Sequence, residues 1–179
     1  MKKNILNIKR EFHRKVLKDY FIIEAFSNYD DSDYLINKVI EGTQEENNKN
    51  FSTNVFGKMT NWKYFVNDKI FLKNVIPIIT HLEKQVSLHP YILHEAWGLI
   101  EGQYEYTKLH DHASNIFSGV FYLNDHHQEL IFPEVNIKIK PEKNKIVLFD
   151  GFLKHKADRN FEEDIKYAIA FNCIGRALD

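Results

Sequence analysis

From Tyr91 onward the sequence breaks into short apolar runs separated by turn residues, and no helical periodicity survives. The runs are Ile92 to Ile100, Tyr104 to His112, Ile116 to Leu123, Glu129 to Phe132, Val135 to Ile139, Lys145 to Phe149, Lys154 to Asp158 and Ile165 to Ile174. Strands this short, packed this densely along a chain, pair antiparallel and close into a sandwich or jelly roll. Aromatic residues make up 14% of the chain, enough to fill the space between two sheets with large side chains. The length, 179 residues, suffices for one domain with its own core.

The first 90 residues read differently. Phe21-Ile22-Ile23 predicts a strand. Asp31-Ser32 supplies an N-cap for a helix through Tyr34, Leu35 and Val39 that ends near Gly42. Asp68 caps a second helix, in which Ile70, Phe71, Val75, Ile78, Ile79, Leu82 and Val86 recur at helical spacing toward His89. Pro77 lies inside that pattern and predicts a kink or break. The charged stretch from Gln44 to Asn50 reads as a solvated loop. The expected organisation is a single domain: residues 1–90 form a supporting strand and helix segment whose helices pack outside one sheet, and residues 91–179 form the β core.

Charge and cysteine content narrow the function. With 24 basic and 25 acidic residues the net charge is −1, so no global field draws the chain to nucleic acid or an anionic membrane. Neither partner is expected. Cys173 is the only cysteine, which rules out an intrachain disulfide and a cysteine zinc cluster and suits a reducing interior. The longest apolar stretches, such as Val75 to Ile79, fall far short of a membrane span. Met1-Lys2-Lys3 is not followed by an apolar signal region, so a cytoplasmic location is expected.

Three sites carry candidate chemistry. In His110-Asp111-His112 a strand alternates its faces, so the two imidazoles point one way and Asp111 the other. Two imidazoles on one face offer two cis ligands to a metal, or are simply two hydrogen-bonded histidines. His155 follows a buried run, Ile146 to Phe149, and the turn Asp150-Gly151, a route that can return a third imidazole to the same point. Flanked by Lys154 and Lys156, it reads equally well as a surface histidine. Lys166 shares a strand face with Ala168, Ala170 and Asn172. If that face is turned inward, the ammonium needs an anion, and a bound carboxylate would serve; turned outward, it is a solvated lysine.

The order of these pieces resembles a known family. The segment from Trp97 to Arg176 is similar to the double-stranded β-helix core of iron(II)- and 2-oxoglutarate-dependent oxygenases, closest to a small bacterial and phage branch related to prolyl hydroxylases. The matching stretches are Leu109-His110-Asp111-His112, Ser118 to Asn124, Glu129 to Pro133, Ile139-Lys140-Pro141, Ile146 to Phe149, Leu153-Lys154-His155 and Lys166 to Asn172. Thr60-Asn61-Trp62 also resembles that branch.

The resemblance implies iron(II) as metal, 2-oxoglutarate as cosubstrate and dioxygen as oxidant. Cosubstrate oxidation to succinate and carbon dioxide would drive hydroxylation of a C–H bond. It places the metal ligands on His110, His112 and His155, with His112 where most members carry a carboxylate. Lys166 falls on the family's basic partner of the distal cosubstrate carboxylate, and Tyr104, Tyr122 and Asn172 are expected as supporting polar groups. His126 and His127, after Asn124-Asp125, read as surface residues of a turn. The implied substrate is a prolyl or other peptidyl residue, or a small molecule. Two other classes fit the residues: a three-histidine cupin-like metalloenzyme without 2-oxoglutarate, and a non-catalytic β-sandwich binding protein.

Overall fold

The structure, a computed structural model, describes residues 6–13, 16–45, 53–86 and 90–175. Strands Leu6–His13 (β1) and Val16–Phe26 (β2) pair antiparallel. Helix Ser32–Thr43 (α1) follows, then the short strands Val55–Phe56 (β3) and Lys58–Met59 (β4), then helix Lys69–Val86 (α2). The remainder is β: Tyr91–Glu101 (β5), Tyr106–His110 (β6), Phe117–Tyr122 (β7), Leu130–Phe132 (β8), Ile137–Ile139 (β9), Lys145–Asp150 (β10), His155–Ala157 (β11) and Lys166–Gly175 (β12). All eight runs read from the sequence contain a strand. Met1 to Lys3, residues 46–50 of the charged stretch, and residues 87–89 at the end of the second expected helix lie outside the described residues.

The strands form two antiparallel sheets. The larger has the order β1-β2-β10-β7-β12-β5-β4 and the smaller β3-β6-β11-β8-β9. This is a jelly roll of the double-stranded β-helix kind, and the N-terminal segment contributes four of its strands, β1 and β2 at one edge, β4 at the other, and β3 on the smaller sheet.

Side-chain alternation gives the larger sheet two apolar faces. One carries Ile23, Phe117, Phe121, Ile146, Leu148, Ile169 and Phe171, covered by Leu35 and Val39 of α1 and by Phe71, Val75, Ile79 and Leu82 of α2. The other carries Ile22, Trp97, Leu99, Val120, Tyr122, Val147 and Ala168 and faces Leu130, Phe132 and Ile139 of the smaller sheet. The helices lie outside the larger sheet, as expected, and the other face packs on the smaller sheet. The helix side is aromatic and tight: the Phe71 ring lies 5.7 Å from Phe171 and 5.9 Å from Phe65. A Cβ at Gly119 would lie 2.2 Å from the Phe171 ring, so only glycine lets that ring cross the sheet.

Three local expectations change. α2 runs unbroken through Pro77. That residue is exposed, its ring points to water, and Val75, Ile79 and Leu82 on the opposite face anchor the helix on both sides of the lost hydrogen bond. Asp68 caps α2 as expected, accepting the Ile70 and Phe71 amides at 3.0 and 2.8 Å. Asp31 stands at the N-cap position of α1, but its side chain accepts no helix amide; its carboxylate pairs with Lys73 at 2.7 Å and accepts from Asn74 Nδ2 at 3.0 Å, tying the start of α1 to α2. Val135 belongs to a 3₁₀ turn, Pro133–Val135, because Pro133 cannot donate to a ladder. None of the described helices is long and apolar enough to cross a membrane.

The packing of α2 on the sheet rests on Phe71, which is fully buried. Phe71→Ala should lower unfolding free energy by about 3–5 kcal/mol in urea titrations. A loss under about 1 kcal/mol would show that the helix is not held by this contact.

Candidate metal centre and adjoining cavities

β6 and β11 pair so that His155 lies directly opposite His110. Cross-strand partners share a face, so the two imidazoles meet, with ring centroids 4.3 Å apart. His112 lies just beyond the end of β6, where its amide donates to the Gly151 carbonyl at 2.7 Å. Gly151 is needed for that approach: a Cβ there would stand 2.2 Å from the Asn115 carbonyl oxygen. The His112 ring centroid is 4.9 Å from His110 and 5.2 Å from His155.

One ligand atom from each of the three rings lies within 4.8 Å of the others. Small rotations bring such a set onto one divalent ion at about 2.0–2.2 Å. The tautomers suit this role. Nδ1–H of His110 donates to the Lys108 carbonyl at 2.8 Å, and Nδ1–H of His155 donates to the Leu153 carbonyl at 3.1 Å. Each therefore keeps a bare Nε2 lone pair for a metal. Burial pushes all three pKa values down, His112 to about 4, and the rings disfavour each other's charge. The three histidines are neutral at pH 7, as metal ligands must be.

Two cavities meet at these rings. The inner one, about 70 Å³, lies between the sheets and is lined by the three histidines together with Trp97, Glu101, Thr107, Tyr122, Lys166 and Ala168. The outer one, about 430 Å³, opens beyond His110 and His112 and is lined by Trp62, Glu95, Asp111, Asn115 and Asn172. Trp97 borders both, and its buried Nε1–H has no acceptor among the described residues.

Lys166 is inside, 5% exposed, at the start of β12. It already has an anion: its Nζ lies 2.5 Å from Oε2 of Glu101, the residue facing it across β5 and β12. Glu101 is 1% exposed, and its Oε1 accepts a 2.8 Å hydrogen bond from Thr107. Glu101, Thr107 and Trp97 are not among the site residues expected from the sequence. A signal was present for Glu101, since Trp97, Leu99 and Glu101 share one strand parity.

The other expected residues separate. Tyr122 is buried in the inner cavity, and burial, then Glu101 and Glu24, hold its phenol protonated. Asn172 belongs to the outer cavity, where it accepts from Ser118 Oγ at 2.7 Å and donates to Glu95 at 2.8 Å. Tyr104 stands away from both cavities. It is 57% exposed in a left-handed turn, φ 65°, with its ring against Phe161, because the chain reverses there before β6 begins.

His126 is also corrected: it is buried, while its neighbour His127 is exposed. Both approach Asp164, at 3.3 and 3.2 Å, a second grouping of ligand atoms. Its tautomer argues against a metal. The Gln128 amide donates to His126 Nδ1 at 3.0 Å, so in the neutral ring the proton sits on Nε2, the atom facing Asp164.

No protein-family model matches the sequence, and no curated protein does. Solved structures do match in fold. The viral collagen prolyl hydroxylase of Paramecium bursaria Chlorella virus-1, solved with 2-oxoglutarate, is 15% identical at a TM-score of 0.65, over 85% of this chain and 94% of that one. The chain has the fold of the 2-oxoglutarate and iron(II) oxygenases. HygX from Streptomyces hygroscopicus, solved with nickel and 2-oxoglutarate, is 11% identical at 0.65, over 85% and 82%. A prolyl hydroxylase from Trichoplax adhaerens, solved with a hypoxia-inducible-factor peptide, is 15% identical at 0.58, over 87% and 83%.

The depressed histidine pKa values make a signed prediction for the metal-free protein. Unfolded, these imidazoles take protons below about pH 6.5; folded, His112 takes one only near 4. Between those values the unfolded state binds more protons, so stability falls as pH falls, by up to about 1.4 kcal/mol per pH unit for each such group. Melting temperatures measured from pH 7.5 down to 5 should drop, and less steeply in His112→Gln. An unchanged slope in that variant would show that His112 is not held neutral.

Proposed function

We propose that the protein is an iron(II)- and 2-oxoglutarate-dependent oxygenase that hydroxylates a C–H bond of a peptide or small molecule. One observation carries the reading: three imidazoles and a buried lysine ammonium line a single cavity between the sheets of this fold.

The residues present fit the groups implied. His110, His112 and His155 would hold the iron, His110 and His155 through ring nitrogens already freed by their hydrogen bonds to backbone carbonyls. Lys166 would take the distal carboxylate of 2-oxoglutarate, with small Ala168 and Ala170 leaving it room. The orphaned Trp97 Nε1–H and the protonated Tyr122 phenol are donors for ligand oxygens. When bound, metal and cosubstrate supply oxygen activation, coupled to conversion of 2-oxoglutarate to succinate and carbon dioxide. The chain's own part is to orient and to exclude water, and Leu99, Val120 and Phe149 form apolar walls for that purpose. Three neutral ligands leave the metal one unit more positive than a site with two histidines and a carboxylate, which tunes both affinity and potential.

The outer cavity is the substrate's place. Glu95 and Asp111 line it, and no Lys or Arg does among the described residues. That lining suits a neutral or cationic segment, such as a peptide, and opposes a phosphate backbone. A cytoplasmic enzyme acting on such a substrate needs neither nucleic acid nor membrane as a partner. A three-histidine metalloenzyme working without 2-oxoglutarate is the second reading, and one observation favours it: Lys166 already holds a carboxylate, that of Glu101.

Anaerobic Fe(II)-loaded protein titrated with 2-oxoglutarate should develop a saturable visible charge-transfer band and, on admission of air, release succinate slowly without substrate. His155→Ala should lose both. Tight metal binding with no response to 2-oxoglutarate would favour the second reading.

A further inference from the structure

We infer that Glu101 is an intramolecular competitor for the cosubstrate: it occupies the Lys166 ammonium while the inner cavity is empty, and the distal carboxylate of 2-oxoglutarate must displace it. The inference rests on the oxygenase reading and adds a residue that sets how tightly, and how selectively, the cavity takes a dicarboxylate.

The competition is electrostatic. Lys166 and Glu101 face each other across β5 and β12, both almost fully buried, with Nζ and Oε2 2.5 Å apart. At that depth a lone ammonium would be costly, and Glu101 removes the cost without any ligand. The pair is built rather than incidental, because Thr107 Oγ1 holds the second carboxylate oxygen at 2.8 Å. Glu101, Thr107 and Lys166 all line the cavity that the three histidines close.

A second carboxylate entering this space would leave two anions against one cation, in a region with little water to screen them. Lys166 therefore serves one carboxylate at a time. Binding of 2-oxoglutarate includes the release of Glu101 from its two partners. A 2-oxo acid without a distal carboxylate makes no claim on Lys166 and leaves the pair intact. Glu101 thus weakens the dicarboxylate selectively.

The test is isothermal titration calorimetry on the full chain loaded with Mn(II), a redox-stable substitute for iron. 2-Oxoglutarate and 2-oxobutyrate are titrated into wild type, Glu101→Gln and Thr107→Val. Glu101→Gln keeps the shape and removes the charge, and should tighten 2-oxoglutarate by roughly tenfold to a hundredfold, the range of one charge-assisted pair. Its affinity for 2-oxobutyrate should stay within about threefold, since that ligand does not compete. Thr107→Val leaves the ion pair but frees one oxygen of Glu101, and should tighten 2-oxoglutarate by roughly threefold to tenfold. It carries the test if Glu101→Gln does not fold. Equal or weaker 2-oxoglutarate binding in the variants, with Mn(II) bound as in wild type, overturns the competitor role and leaves the oxygenase reading standing. Failure of 2-oxoglutarate to bind any Mn(II)-loaded form overturns both.

Discussion

The site depends on one strand register. His155 sits opposite His110 because β11 pairs with β6 in the alignment it does, and a slip of one residue would turn His155 to the other face. The register is pinned from several sides. The Asp150-Gly151 turn brings Gly151 against the His112 backbone, and β8 pairs with the other edge of β11. Phe132 and Phe149 pack against the His155 ring, with centroids 6.0 and 4.6 Å away. The imidazoles converge because the apolar core fixes the backbone that carries them.

A second cross-strand pair on the larger sheet repeats the logic with charge. Lys166 and Glu101 are as tightly specified by the β5–β12 register as the histidines are by β6–β11. Buried polar groups here are satisfied by partners fixed in the fold: carbonyls for His110 and His155, Glu101 for Lys166, Thr107 for Glu101, Ser118 and Glu95 for Asn172. Trp97 Nε1–H at the junction of the two cavities has no such acceptor among the described residues, which marks the place where a bound molecule has most to add.

Much of this was legible in the sequence because strand parity is a local rule. It put His110 and His112 on one face and grouped Lys166 with Ala168 and Ala170 on another, while leaving open whether that face turned inward. The two apolar faces of the larger sheet follow the same alternation. What escaped it was long-range pairing. Glu101 acquires its meaning only when β5 meets β12, and the runs themselves do not announce that they are neighbours. Tyr104 was misplaced because residues beside a strand share its composition, whereas its left-handed backbone belongs to a turn. His126 lies in a loop as its neighbours suggest but is buried there, its Nδ1 accepting from the Gln128 amide, a contact no pattern of polarity reveals. Pro77 followed the ordinary rule for a helix breaker, and the apolar anchors on either side of it outweighed the rule.

In the proposed enzyme three imidazoles, and no carboxylate, hold one metal ion between the sheets. X-ray absorption spectroscopy of the Fe(II)-loaded protein addresses it directly, since multiple scattering counts imidazole rings and the shell distance separates ligand types. The expected result is three imidazole nitrogens at about 2.0–2.2 Å, with the remaining positions filled by water that 2-oxoglutarate replaces. Two or fewer imidazoles, or an Asp111 oxygen in the inner shell that disappears in Asp111→Asn, would contradict it.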